Sequence, residues 1–224
     1  MAYNIRGVNV AAPRVKYYAY TRTSSKTMKG KFRNMNMEAL RKSANDPLWD
    51  EEAARGAYSL PLTRDNEVAH RGREFATGIS QNELYETDVF LCARSPQTHI
   101  GPFRWAIDFL VPDGTPVLAT RDGKIVEVKE SSDTWGDGEE FRDALNLITI
   151  EHADGEYSQC CHLAKNSVAA RGLRTGSLVR KGDQIGLVGK SGWTDRDHLH
   201  FIVFRSAHRP QNPFGFKSLK VWFS

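Results

Sequence analysis

The chain has 224 residues and a formal net charge of +4, and 40% of its residues are hydrophobic, 26% charged and 10% aromatic. This composition is typical of one globular domain with appendages, or of two small domains, and it excludes a wholly disordered chain. The length excludes a disulfide-stapled miniprotein, and the three cysteines are expected to be small buried thiols. Charges interrupt every apolar run before about 18 residues, so no membrane span is predicted.

The N-terminal segment is strongly basic. Residues 1–45 contain ten lysines and arginines and one acidic residue, Glu38, a net charge of +9, so that the rest of the chain is net −5. Such asymmetry predicts contact with a polyanion, such as an anionic cell-wall polymer, although a solvated basic surface without a dedicated partner fits equally well. Tyr17, Tyr18 and Tyr20 can stack on bases but equally suit a strand, so nucleic-acid binding is not predicted.

Short helices are predicted ahead of a β-rich remainder. Between about residues 36 and 57, apolar residues among charges favour one or two short helices, broken near Asp46-Pro47. After about residue 85, short apolar strands alternate with glycine-containing turns, which is typical of an antiparallel β domain. Asp122-Gly123 and Asp154-Gly155 each predict a hairpin, because both residue types tolerate the left-handed backbone of a tight turn. The predicted hairpins join 116–120 to 124–130 and 146–152 to 156–163.

The most informative histidines are His198 and His200. On the strand predicted over His198 to Phe204, side chains alternate, so both imidazoles emerge on one face while the apolar residues turn to the other. Asp108 repeats this pattern in Trp105-Ala106-Ile107-Asp108-Phe109, and a carboxylate in such surroundings needs a cation, a metal or backbone donors. Histidines and a carboxylate with an open fourth position are typical of a catalytic zinc site.

Two further observations concern the chemistry of this site. His162 ends an apolar strand and is either a histidine satisfied in the core or a member of the site. No His-Glu-x-x-His motif is present, so a glutamate general base of the thermolysin type is excluded and histidines must perform that work. The polar segment 131–144 predicts a long loop beside the site.

Six short motifs follow one another along about residues 98–205. They are Thr98-His99-Ile100-Gly101 with Ala106-Ile107-Asp108-Phe109 and Pro112 to Ala119, Asp122 to Val126, Asn146 to Gly155, His162-Leu163, Val179 to Gly186, and His198-Leu199-His200-Phe201. Together they resemble the lysostaphin-like, or LytM-type, zinc metallopeptidases, which cleave peptide bonds in the stem or cross-bridge of bacterial peptidoglycan. Cys160-Cys161, Asp197 and Ile202 depart from residues common in the family, and these departures concern substrate preference more than activity.

The resemblance implies a site and a mechanism. His99, Asp108 and His200 are the implied ligands of one Zn²⁺ per chain, and His162 and His198 are the implied catalytic histidines. Zinc lowers the pKa of water and polarises the scissile carbonyl, and a histidine can take the proton of the attacking water. Which of the two histidines is the general base stays open. Asn146 and His152 are expected to be structural.

The resemblance also implies the architecture. The expected fold is mainly β, an antiparallel β-sheet metallopeptidase core of the duplicated hybrid motif type, with a basic N-terminal extension containing short helices. The expected division is an extension of unknown role over residues 1–85, the peptidase domain over 86–210 and a tail over 211–224. The segment before His99 is also a candidate to block the cleft until it is removed.

Other functions stay open at this point. A non-catalytic LytM-type domain can bind cell-wall material or activate another murein hydrolase, but all five key positions are filled here. A scaffold whose basic arm binds nucleic acid is a weaker alternative. A peptidoglycan substrate implies the cell envelope or the exterior, yet no secretory signal is visible and adjacent free thiols suit a reducing compartment, so the location is left unassigned.

Overall fold

The computed structural model describes residues 36–80, 83–207, 212 and 214–224. The polyanion contact predicted for the basic segment falls mostly on residues 1–35, which lie outside the described residues. The mainly β fold is confirmed. The α-helices are α1 (Met37–Lys42) and α2 (Asn66–Gly72), and the strands are β1 (Leu84–Thr87), β2 (Phe90–Ala93), β3 (Ile107–Phe109), β4 (Pro116–Leu118), β5 (Gly123–Lys129), β6 (Trp135–Gly136), β7 (Leu147–Glu151), β8 (Glu156–Cys161), β9 (Leu178–Val179), β10 (Gln184–Leu187), β11 (Gly192–Trp193), β12 (Leu199–Ser206) and β13 (Phe216–Leu219). Single 3₁₀ turns cover Pro47–Trp49, Arg73–Ala76, Gly101–Phe103, Glu139–Ala144 and Ala169–Arg171.

The short helices predicted near the N-terminus are confirmed. The Asn36 side chain caps α1 by accepting from the N–H groups of Glu38 at 2.9 Å and Ala39 at 3.1 Å. The predicted break is also present, since a separate 3₁₀ turn begins at Pro47 with Asp46 as its cap. In the described part of the chain, no helix is long and apolar enough to cross a bilayer.

Among the described residues, nine strands form one antiparallel sheet in the order β1-β2-β3-β12-β8-β7-β5-β9, with β13 also paired to β12. Strand β12 is the centre of this sheet, because it pairs with β3 and β13 along one edge and with β8 along the other. Two small pairs, β4 with β10 and β6 with β11, lie outside it. The segment predicted as a loop over 131–144 contains β6 and a 3₁₀ turn as well as irregular chain.

One of the two predicted hairpins is confirmed. Strands β7 and β8 pair across Asp154-Gly155, and Gly155 has the positive φ of 77° that such a turn requires. The hairpin predicted across Asp122-Gly123 is wrong, because β4 pairs with β10 while β5 pairs with β7 and β9. The backbone N–H and C=O of Ala119 both bond to residues 182–183 at 2.8 Å. A partner distant in sequence therefore replaces the local turn.

The two faces of β12 serve different purposes. Alternate residues from Leu199 to Val203 are buried in the larger of two hydrophobic clusters. The opposite face carries His200 and continues as Ile202 and Phe204, which pack in the second cluster together with side chains from α1. One strand thus connects a polar site to the apolar surface that receives α1.

The segments before and after the six motifs also contribute residues to this core. Tyr58 and Leu62 belong to the larger cluster, as does Leu219 of β13. The flanks also bond to each other, since the Ala54 N–H donates to the Lys220 carbonyl at 2.9 Å. The described parts of both flanks therefore share the hydrophobic core of the sheet, and the division after residues 85 and 210 stays a prediction.

Candidate metal centre and catalytic cleft

Strands β3 and β12 bring Asp108 and His200 side by side. Their antiparallel register pairs the two residues directly, and the neighbours of Asp108 on β3 are buried in the core on the opposite face. His99 comes from the loop before β3, where its N–H donates to the Ser95 carbonyl at 2.9 Å. The alternation predicted from the sequence therefore brings this aspartate and histidine to one side of the sheet.

His99, Asp108 and His200 converge on one point. His200 Nδ1 lies 2.8 Å from Asp108 Oδ1, His99 Nε2 lies 3.2 Å from Asp108 Oδ2, and the two imidazole nitrogens lie 3.3 Å apart. Ligands about 2.1 Å from a tetrahedral ion are about 3.4 Å from one another, so the two separations that involve His99 fit a single zinc-sized cation, and the shorter one is a hydrogen-bond distance. Imidazole nitrogen and carboxylate oxygen are also donor types that zinc prefers.

The charges in this cluster favour a cation. Burial by itself raises the pKa of Asp108, but His99, His198 and the hydrogen bond to His200 outweigh burial and hold this pKa well below its usual range. Asp108 is therefore an ionised carboxylate that faces imidazole nitrogens. In the described part of the chain, His99 Nδ1 is buried without a hydrogen-bond partner, so this ring is not held by a bond on its far side.

His162 enters the site at the end of β8. Its φ of 60° lies in the left-handed region that residues other than glycine rarely adopt. Its Nδ1 lies 2.8 Å from the Ser191 carbonyl, and because a carbonyl only accepts, Nδ1 carries the proton and Nε2 is the acceptor of the neutral ring. Burial, followed by the charges of His198 and His200, lowers the pKa of His162 well below its usual range. This ring is therefore neutral at physiological pH.

His198 is oriented in the same way. Its Nδ1 lies 3.0 Å from the Arg196 carbonyl, and its Nε2 lies 3.7 Å from Asp108 Oδ1. The centroids of the His162 and His198 rings are 4.5 Å apart, and those of His162 and His200 are 6.1 Å apart. The structure thus brings all five residues selected from the sequence into one cluster, in which His200 is half-buried and the other four are buried.

Arg196 supports this cluster and was missed by the sequence analysis. Its guanidinium donates to the Phe75 carbonyl at 3.0 Å and to the Thr77 carbonyl at 2.9 Å. The backbone carbonyl of Arg196 accepts a hydrogen bond from Thr194 Oγ1 at 2.8 Å. These bonds tie the segment after α2 to the turn that carries His198. The partners of Arg196 lie 121 and 119 positions earlier in the chain, so no local sequence pattern could have identified it.

Two cavities meet at the cluster and share Thr98, His162, Trp193 and His200 in their walls. The larger, of about 430 Å³, is lined by many polar side chains and is called the polar cavity below. The smaller, of about 170 Å³, is called the apolar cavity. Together they form a cleft whose walls include four of the five residues, Asp108, His162, His198 and His200. The apolar part of the smaller cavity is formed by Met37, Leu40, Phe103, Leu145, Leu147 and Trp193.

The other polar residues singled out from the sequence have local partners. Asn146 Nδ2 donates to the Ser132 carbonyl at 2.7 Å, and the His152 ring nitrogens lie 2.9 Å from the Asp122 carbonyl and 3.0 Å from Ser158 Oγ. These bonds agree with the structural role expected for both residues. The three cysteines are buried and free, as predicted, and burial raises the pKa of each thiol.

An antiparallel sheet thus presents a His-Asp-His cluster beside two further histidines, and this set of donors is typical of the metal centres of metallopeptidases. Residues 102–213, half of the chain, match the model of peptidase family M23. The chain belongs to peptidase family M23, and the resemblance to the lysostaphin-like metallopeptidases is confirmed. His99 lies just before the matched residues.

Several known proteins are similar in sequence to part of this chain. The cell division protein DipM of Caulobacter vibrioides is 33% identical over 95 residues, 42% of this chain and 13% of DipM. The peptidoglycan DD-endopeptidase ShyB of Vibrio cholerae is 34% identical over 96 residues, 43% of this chain and 19% of ShyB. Lysostaphin of Staphylococcus staphylolyticus is 35% identical over 102 residues, 45% of this chain and 18% of lysostaphin. The chain therefore spans less than a quarter of the length of each of these relatives.

Solved structures also match. The catalytic domain of lysostaphin from Staphylococcus simulans is 29% identical and covers 47% of this chain and 69% of that domain, with a TM-score of 0.36. The catalytic domain of the prophage-encoded M23 protein EnpA from Enterococcus faecalis, crystallised as a mutant, is 22% identical and covers 66% of this chain and 95% of that domain, with a TM-score of 0.40.

Proposed function

We propose that this chain is a zinc-dependent endopeptidase that hydrolyses peptide bonds in the stem or cross-bridge of bacterial peptidoglycan. The observation that carries the proposal is the convergence of His99, Asp108 and His200 beside two further buried histidines in one cleft. Family membership supports a peptidase, and similarity to ShyB, a peptidoglycan DD-endopeptidase, supports peptidoglycan as the substrate. The polyanion contact of the basic segment stays a separate prediction.

His99 Nε2, a carboxylate oxygen of Asp108 and His200 Nδ1 are the atoms that would hold the zinc ion. When bound, zinc supplies Lewis acidity that polarises a carbonyl group and lowers the pKa of water toward neutrality. The ionised Asp108 offsets part of the charge of the cation. Three protein ligands, and not four, are typical of catalytic zinc sites.

His162 and His198 are assigned to proton transfer. Each ring donates its Nδ1 proton to a backbone carbonyl, which fixes the ring and leaves Nε2 able to accept a proton from the attacking water and to pass it to the leaving amine. The lowered pKa of His162 keeps that ring unprotonated in the resting site. Arg196 acts through His198, because its carbonyl orients the ring.

The test is digestion of purified peptidoglycan by the zinc-loaded protein, with released fragments identified by mass spectrometry. We expect peptide fragments from the parent and a loss of about 10²–10⁴-fold in rate for His198→Ala, which is the usual contribution of a general acid–base residue. The variant must bind one zinc ion per chain and give the circular dichroism spectrum of the parent. His70→Ala, a substitution of an exposed histidine, is the matched control and is expected to retain full activity.

The outcomes separate the parts of the proposal. Undiminished cleavage by zinc-bound His198→Ala contradicts the role of His198. No cleavage by the zinc-bound parent, across several types of cell wall, contradicts the endopeptidase assignment and favours a domain that binds cell wall or activates another hydrolase.

A further inference from the structure

Helix α1 lies outside the residues that match the family model and yet reaches the cleft. Met37 and Leu40 are three positions apart, so both point to the same side of the helix. Both side chains are buried, with 7% and 1% of their surface exposed, in the second cluster beside Ile202 and Phe204 of β12. They also line the apolar cavity together with His162 and His200. Helix α1 therefore covers the sheet directly next to the catalytic cluster.

The position of α1 is fixed by contacts on two sides. Trp49 donates from Nε1 to the Ser43 carbonyl at 2.8 Å and packs edge-on against Phe214 at 6.1 Å, which closes the turn after α1 onto the core. Gly101, two residues after His99, has a φ of +56°, and a Cβ there would lie 3.0 Å from Leu40 Cδ1. The loop that carries a proposed ligand thus touches α1 at van der Waals distance.

The apolar cavity suits one uncharged side chain. Its volume of about 170 Å³ is close to the roughly 150 Å³ of an apolar cavity that holds benzene. The charged groups at its rim already have partners, since Lys129 donates to the Asp143 carbonyl, Arg142 pairs with Glu139 and Glu127 accepts from Thr149. A substrate side chain that packs against the apolar residues of this cavity meets mainly carbon atoms, and burying a charge among them is costly.

We infer that α1 is a wall of the substrate cleft, and that Met37 and Leu40 make the apolar cavity a pocket for a single aliphatic side chain of the peptide substrate. This inference rests on the proposed function, because it specifies the substrate of the same site. Residues 36–49 thus help determine specificity, instead of blocking the cleft until removal. The continuity of the cavity with His162 and His200 places the selected side chain beside the scissile bond.

The test compares synthetic peptides of the peptidoglycan stem and cross-bridge that carry glycine, alanine, leucine or lysine at each successive position. Cleavage is measured with proteins that retain His198. Binding is measured by calorimetry with zinc-bound proteins that carry His198→Ala. We expect the parent to prefer aliphatic side chains over lysine at one position. Met37→Ala is expected to shift preference toward leucine, and Met37→Trp toward glycine, each by about tenfold in the ratio of kcat/KM values, as expected for a change of one or two methylene groups in a pocket.

Two further variants serve as controls for the effect of Met37 substitutions. Met37→Gln keeps the size of the side chain and is expected to weaken aliphatic peptides without changing the preferred size, which covers the case in which Met37→Ala does not fold. Leu178→Ala, at a position 67% exposed and outside both cavities, is the matched control and is expected to behave like the parent.

The failures of the two proposals can be told apart. A parent that cleaves, with the same side-chain preference in every folded Met37 variant, overturns the inference and leaves the proposed function intact. Equal activation of all peptides by the Met37 variants also overturns it, because that result identifies α1 as a plug. Binding preferences that follow residue 37 in a protein that cleaves nothing support the pocket and contradict the endopeptidase.

Discussion

Asp108 and Glu156 are two buried carboxylates on neighbouring parts of one sheet, and they are neutralised in different ways. Glu156, 2% exposed, accepts hydrogen bonds from the N–H groups of Arg55 at 2.7 Å and Gly56 at 3.2 Å and from Tyr58 Oη at 3.0 Å, and the Arg121 guanidinium lies 3.7 Å from its Oε2. Asp108, 9% exposed, faces the ring nitrogens of three histidines from two segments, the loop before β3 and the start of β12.

The difference shows how a structural carboxylate and a functional one can be distinguished. Backbone N–H groups only donate, and the Tyr58 hydroxyl donates to Glu156 here, so these groups satisfy the carboxylate and fix the segment that supplies them. Imidazole nitrogens donate or accept according to their protonation, so the same atoms that face Asp108 can face a cation. Glu156 ties the segment before β1 to the sheet, whereas the proposed role of Asp108 is to hold a ligand from outside the chain.

The largest expected effect comes from Asp108→Asn. The amide keeps the shape but removes the negative charge, so zinc affinity is expected to fall by more than about 100-fold, beyond the usual effect of changing an outer-shell partner, and activity is expected to be lost. Competition with a fluorescent chelator measures the affinity. Asp137→Asn, which changes a carboxylate in the polar cavity, should retain the zinc affinity of the parent. Parent-like affinity in Asp108→Asn would contradict the proposed ligand set.

A smaller and different effect is expected from Glu156→Gln. The amide nitrogen would meet donors where the carboxylate met them, so the free energy of unfolding is expected to decrease by about 3 kcal/mol. Urea denaturation measures this change, and zinc affinity should stay that of the parent. Glu74→Gln, on the exposed surface, is the control. A stability loss below about 0.5 kcal/mol would mean that Glu156 does not anchor the N-terminal flank.

The smallest effect concerns Asp154, beside the Glu156 cluster. Burial raises the pKa of Asp154, but the Arg121 guanidinium at 2.7 Å and the Glu156 N–H outweigh burial and lower the pKa below its ordinary value of 3.8. A lowered folded-state pKa contributes stability above pH 3.8 that is lost as the pH falls through the folded-state pKa. In Asp154→Asn, the free energy of unfolding is therefore expected to fall less steeply below about pH 4 than in the parent. The difference is expected to be less than about 1 kcal/mol, because solvent screens a partly exposed ion pair.

Urea denaturation at several acidic pH values measures this dependence. The exposed Asp50→Asn variant serves as the reference. An acid limb as steep in Asp154→Asn as in the parent would show that this carboxylate contributes nothing to the pH dependence.

Periodicity predicted the parts of the molecule that depend on a single strand. The alternation around Asp108 and His200 correctly separates a core face from a polar face. The Asp154-Gly155 turn could also be predicted locally, because these two residue types favour a tight turn and the strands on either side of it pair with each other. These features need no knowledge of distant residues.

The missed features depend on contacts between distant segments. Strand β4 has three residues and pairs with β10, so the turn residues after it do not decide its partner. The guanidinium of Arg196 meets carbonyl groups of Phe75 and Thr77, and any residue can supply a carbonyl. The place of α1 beside the cleft is set by the face of β12 beyond His200. Hydropathy alone cannot indicate which exposed apolar face a six-residue helix will cover.

The left-handed backbone of His162 has an evolutionary consequence. At a φ of 60°, a histidine costs about 1–2 kcal/mol more than a glycine would. A survey of substitutions scored by folding alone would therefore rank glycine above histidine at this position, whereas selection for turnover would rank them in the opposite order. If His162 has the proposed catalytic role, position 162 exchanges stability of the fold for activity.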